Sequence, residues 1–152
     1  MIRTIALLLS LLAYVGLMAQ VPPPEHSSAI DIYEAVVRYQ IKTWDLAAST
    51  YCIEVNGKDA SPELLGRLRP LPVKGKSGCK EKKHILMDIV DKRTKKLAVI
   101  FDVSEIHWQS ASEADVQGGY FCASQCGGGG KYHVVWNGHQ WTVTDFKPEL
   151  MI

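Results

Sequence analysis

Gln117–Thr144, QGGYFCASQCGGGGKYHVVWNGHQWTVT, decides the fold of this 152-residue chain. Asn137-Gly138 lies between two alternating runs, and Asn and Gly tolerate the positive φ that a two-residue type I′ hairpin turn needs. Such a turn predicts that Trp136 opposes His139, Val134 opposes Trp141 and Tyr132 opposes Val143. One face then carries Tyr132, Val134, Trp136, His139, Trp141 and Val143. The other carries Lys131, His133, Val135, Gln140, Thr142 and Thr144. The first face is aromatic and β-branched, so it is expected in the core. A one-residue slip would turn both tryptophans to water, so the register is strongly specified.

Outward from the hairpin, Ala114 to Ala123 reads as the preceding strand. Gly118-Gly119 inside it marks a bulge or a close packing partner. Leu97, Val99, Phe101 and Val103 alternate, and after Ser104 the apolar phase flips to Ile106 and Trp108. A phase flip within one run is what a β-bulge produces, so a long strand over 97–108 is expected to bend near Ser104-Glu105. Ile85–Val90 is a further strand, with a turn at Asp91–Lys96. Gly127–Gly130 is read as a flexible connection. It precedes a strand rather than a helix, which excludes a phosphate-cradling loop.

Toward the N-terminus, Ile30, Tyr33, Val37, Ile41 and Trp44 recur at spacings of three and four. They predict an amphipathic helix from about 29 to 46, capped by Ser27 or Ser28. Ser49–Val55 is a strand ended by Asn56-Gly57. Ser61-Pro62-Glu63 opens a short helix that Pro70 stops. Leu71–Lys83 reads as loop. The expected fold class is α+β: a long N-terminal helix packed on a curved antiparallel β-meander of four to five strands, with a short second helix.

Residues 1–19 read as a signal peptide: Arg3, an apolar run from Ile5 to Leu17, then small Ala19. Residues 20–27, with Pro22-Pro23-Pro24, form a linker, and 28–152 a single α+β domain. The whole chain has 17 basic and 16 acidic residues, and loss of Arg3 leaves it neutral, against a general nucleic-acid binder. Lys74, Lys76, Lys80, Lys82 and Lys83 nevertheless crowd one stretch opposed by Glu81 alone, a feature that suits an anionic partner.

Export sets the reading of the four cysteines. In an oxidising compartment they imply two disulfides, with three pairings open. Cys122–Cys126 with Cys52–Cys79 is preferred, because the loop between Cys122 and Cys126 must double back. The CxxxC spacing does not fit the usual zinc knuckle or redox pair.

The helix Tyr33-Glu34-Ala35-Val36-Val37-Arg38-Tyr39-Gln40 and the closing Tyr132-His133-Val134…Asn137-Gly138-His139-Gln140-Trp141-Thr142-Val143 together resemble a known class. It comprises small secreted bacterial α+β proteins with an NTF2-like or cystatin-like terminal hairpin. The resemblance implies a fold and supplies no catalytic residues.

No cofactor, metal or catalytic motif stands out. The groups that would have to converge for a carboxylate-dependent hydrolase are Asp102, Glu105, His107 and Asp115. The candidate binding residues are Ala123, Ser124 and Gln125 in the small disulfide loop, with Lys80, Lys82 and Lys83. The functional expectation is an exported, periplasmic or secreted, non-enzymatic binding or accessory domain. Its partner would be a protein or an envelope ligand and not nucleic acid, with the membrane met only through the signal peptide. The alternatives are a secreted hydrolase inhibitor using the Cys122–Cys126 loop, and the small hydrolase.

Overall fold

The computed structural model describes residues 28–44, 46–82 and 88–151. The expected leader and linker, Lys83, His84 and the start of the Ile85–Val90 strand lie outside them.

The expected curved antiparallel meander of four to five strands under a long helix is not the architecture found. Among the described residues, nine strands form one mixed sheet with one long helix and one short helix on it. Helix α1 (Ala29–Trp44) opens with Asp31 accepting from the Ser28 amide at 3.0 Å. Strand β1 (Thr50–Val55) turns through Asn56 and Gly57, at φ 50° and 76°, into β2 (Lys58–Asp59). Helix α2 (Pro62–Arg67) follows, its Leu64 amide held by the Ser61 hydroxyl at 3.2 Å. Then come β3 (Val73–Gly75), β4 (Cys79–Lys82) and β5 (Asp88–Asp91). Four strands of eleven residues close the chain: β6 (Ala98–Trp108), β7 (Glu113–Ala123), β8 (Cys126–Trp136) and β9 (Trp141–Met151).

Strands β6 to β9 are antiparallel neighbours, as a meander would have them. The departure is β1, which pairs in parallel with β6 on one side and with β3 on the other. The residues read as loop from Leu71 onward supply β3 and β4. Strands of two to four residues have no measurable alternation, so sequence pattern alone does not reveal them.

The terminal hairpin also differs from expectation. Trp136 pairs with Trp141 across a four-residue connection. Asn137 Oδ1 accepts from the amides of His139 and Gln140, both at 3.0 Å, so Asn137 closes the turn with its side chain. The shift relative to a two-residue turn is an even number of positions. The period of a strand is two, so the faces survive: Tyr132, Val134 and Trp141 are buried, while His139 moves into the exposed loop.

The helix stripe is rotated as well. Ile32, Val36, Val37, Gln40 and Ile41 are its buried residues, and Ile30, Tyr33 and Trp44 lie at the margin. They pack on Phe101 and Val103 of β6, Val116 of β7, and Tyr132 and Val134 of β8. The bulge expected near Ser104-Glu105 is present, with a register shift between Ser104 and Ile106.

Gly118 lies under the Gln40 side chain of α1. The buried Gln40 amide donates to the carbonyls of Asp102 and Gly119, both at 3.1 Å. A methyl group on Gly118 would lie 2.6 Å from the Asp102 carbonyl and 3.0 Å from that amide nitrogen. The run Gly127–Gly130 is not a flexible connection but the first half of β8, paired with β7 and, from Gly128, with β9. A side chain at Gly130 would collide with the Lys147 carbonyl, where β9 bulges beside Pro148.

Candidate functional site

Strands β4 and β5 are an outlying pair. They join the main sheet through Asp88 opposite Ala123 and through a bridge from Val90 to Leu97. Two disulfides brace this end. Cys52 of β1 is bonded to Cys79 at the start of β4, with Cα atoms 6.1 Å apart, and Cys122 to Cys126 across the β7–β8 turn, at 5.3 Å. Two disulfides are the bonding state of a protein in an oxidising environment.

The register brings together what the sequence leaves apart. Lys82 pairs with Asp88, and Asp88 with Ala123. The lysine stretch and the Cys122–Cys126 turn are therefore one edge of the molecule. Lys80 pairs with Val90, which faces Leu97, so Lys80 and Leu97 are two strands, about 10 Å, apart in one row. Ser124 and Gln125 are exposed at the turn, and Ala123 is half-buried.

The Lys-rich turn expected at Asp91–Lys96 is the β5–β6 turn, and it adds its cations to this edge. Lys92, Arg93, Lys95 and Lys96 are all exposed. Asp91 organises them. Its side chain is fully buried and pairs with Lys74. It accepts from the Thr50 hydroxyl at 3.0 Å and from the amides of Arg93 and Thr94 at 2.7 and 3.0 Å. Lys74, then these amides and the hydroxyl, hold its carboxyl well below the usual carboxylate range. The turn is thus fixed by a buried anion with four donors, and Lys95 sits at φ 62°. The signal for it was Asp91 at the head of a Lys-Arg-Thr-Lys-Lys run, since Asp closes turns by accepting from amides two and three residues on.

Six exposed cations result: Lys80, Lys82, Lys92, Arg93, Lys95 and Lys96. None of them is within ion-pair distance of a described carboxylate, whereas Lys74 and Lys76 are engaged by Asp91 and Glu54.

The catalytic candidates are placed in separate arrangements. On the sheet face away from α1, Glu105 and His107 form an exposed pair at 3.3 Å. Asp115 is the cross-strand neighbour of His107 but bonds His133 Nδ1 at 2.8 Å, while Gln109 donates to its other oxygen at 3.3 Å. This Gln–Asp–His chain lies in a groove of about 440 Å³ lined also by Lys131, Asp145 and Lys147. Among the described residues no three potential ligands are arranged to hold a metal ion.

Asp102 stands apart. It lies beside Glu54 on the adjacent parallel strand and borders a shallow groove of about 380 Å³ floored by glycines of β7 and β8. Burial, with Glu54 alongside, pushes its carboxyl above its usual value. A group whose folded pKa is raised costs stability increasingly as pH climbs through that value. Below the unfolded value, about 3.9, both states hold the proton and the cost vanishes. Asp102→Asn is therefore expected to melt a few degrees above the wild type at pH 7, with the gap closing below about pH 4. Equal melting temperatures at pH 7 would mean that partial burial and the neighbouring Glu54 do not disfavour this carboxylate.

Comparison with protein-family models, with curated proteins and with solved structures found no match.

Proposed function

We propose that this protein is an exported, periplasmic or secreted, non-enzymatic binding domain that engages an anionic partner through the β4–β5 edge. The observation that carries this reading is the set of six exposed cations, none in an ion pair with a described carboxylate, on a turn and strand pair fixed by Asp91 and the Cys52–Cys79 bond. Opposite charges steer association and set its salt dependence. A turn already ordered before binding does not lose that freedom again when a partner arrives. The chain as a whole is almost neutral, so the edge is a local field and not a property of net charge.

The test is retention on an immobilised sulfated polyanion. The wild type is expected to be retained near physiological ionic strength, and the Lys92→Glu/Lys95→Glu/Lys96→Glu variant to bind at least about tenfold more weakly. A control triple, Lys42→Glu/Lys58→Glu/Lys147→Glu, carries the same net charge and is expected to keep most of the binding. Equal losses in the two triples would mean that net charge alone is being read, and the edge would have no special part.

The inhibitor reading rests on the exposed Ser124-Gln125 turn, which the Cys122–Cys126 bond closes and which belongs to the same edge. On that reading the anionic partner is the acidic rim of a hydrolase cleft. Substituting Ser124 and Gln125 would then abolish inhibition while leaving polyanion retention intact.

A further inference from the structure

Leu97 is the large hydrophobic residue left exposed among the described residues, at 55%. It directly follows Lys95-Lys96 and shares a row with Lys80 through Val90. Its backbone is not loose. The Ser49 amide and hydroxyl both donate to the Leu97 carbonyl, at 3.1 and 2.9 Å, and the preceding turn is fixed by Asp91. An apolar side chain is thus held exposed, next to the cationic turn and in one row with Lys80.

A soluble polyanion makes no use of a leucine in that position. A bilayer carrying anionic headgroups does: cations meet the phosphates while an apolar residue enters the boundary between headgroups and acyl chains. We infer that the β4–β5 edge docks reversibly on an anionic phospholipid surface with Leu97 as its inserted anchor. This rests on the anionic-partner reading above and extends it, and it departs from the expectation that only the signal peptide meets a membrane. No helix among the described residues is long and apolar enough to cross one. The contact is peripheral, with Lys80, Lys95 and Lys96 at headgroup level. One leucine with a basic patch gives weak, salt-sensitive attachment rather than permanent anchoring.

The experiment uses the mature chain and sedimentation with two kinds of vesicle, pure phosphatidylcholine and phosphatidylcholine with roughly a third phosphatidylglycerol. The wild type is expected to sediment with the anionic vesicles and not the neutral ones, and to be released by salt. Leu97→Ser, at a site 55% exposed, is expected to bind anionic vesicles about tenfold more weakly yet elute from the sulfated polyanion as the wild type does. In the Leu97→Trp variant, extra emission is expected to shift to the blue on anionic vesicles. If Leu97→Ser binds these vesicles like the wild type, or if the wild type binds the polyanion but no vesicle, the lipid inference is overturned and the charge reading stands. If the Lys92/Lys95/Lys96 reversal leaves polyanion retention unchanged, both are overturned.

Discussion

Replacing Trp141 by alanine is expected to cost about 3–5 kcal/mol of folding stability. The side chain is 5% exposed. Its ring meets Trp108 edge-on at 5.6 Å and Trp136 at 5.9 Å. The first contact joins β9 to β6 across the sheet, so Trp141 closes the core at the end where the four long strands are otherwise open. Removing it leaves a cavity that the surrounding strands cannot collapse into without breaking their ladder. It also forfeits two aromatic contacts, each of about 0.5–1.5 kcal/mol beyond the buried area. Trp136, half-buried at the same end, is expected to cost about half as much when replaced by alanine. Urea unfolding followed by circular dichroism reads both. A loss under about 1 kcal/mol for Trp141→Ala would mean that the tryptophan face of the hairpin looks outward and that the sheet packs on α1 the other way round.

The hairpin shows what the sequence can and cannot carry. Alternation assigns faces, and the faces of β8 and β9 are as the residues imply even though the turn is longer than Asn137-Gly138 suggests. The side chain of Asn137 replaces the backbone geometry of a tight turn, and no local pattern distinguishes those outcomes. The bend at Glu105 is legible because a bulge inverts the phase of a run long enough to show it. The parallel pairing of β1 with β6 is not, because nothing in a strand names a partner more than forty residues away. Glycine composition misleads at Gly127–Gly130 for a steric reason: the bulged β9 approaches β8 too closely for any side chain at Gly130. The candidate edge was half legible. The lysines of β4 and the Cys122–Cys126 turn stand out singly, but their union depends on Asp88 pairing with both Lys82 and Ala123. Asp91 at the head of its run signals a turn, but its burial, and its bonds to Thr50 and Lys74 from distant strands, have no local signature.

The bond between Cys52 and Cys79 is expected to contribute more than the bond between Cys122 and Cys126, and to matter more for binding. The first closes a separation of 27 residues and the second a separation of 4. Loop-closure entropy then predicts about 3.5 kcal/mol for the first and about 2 kcal/mol for the second. Packing widens the difference. Cys52 is fully buried and Cys79 nearly so, in a small cluster with Ile89 and Ala98 separate from the main core, whereas Cys122 and Cys126 are half-buried. That small cluster, one strand pair, one bridge and the bonds of Asp91 to Thr50 and Lys74 also attach β4 and β5 to the sheet. Without the covalent tie, β4 is expected to separate from β1 before the long strands unfold, taking Lys80 and Lys82 out of register with Leu97. The double variant Cys52→Ala/Cys79→Ala should therefore lose about 3–4 kcal/mol in urea and also weaken polyanion retention in native buffer. Cys122→Ala/Cys126→Ala should lose less stability and keep its retention. Equal stability losses in the two double variants, or full retention without the Cys52–Cys79 bond, would mean that the edge is held by its strand pairing alone.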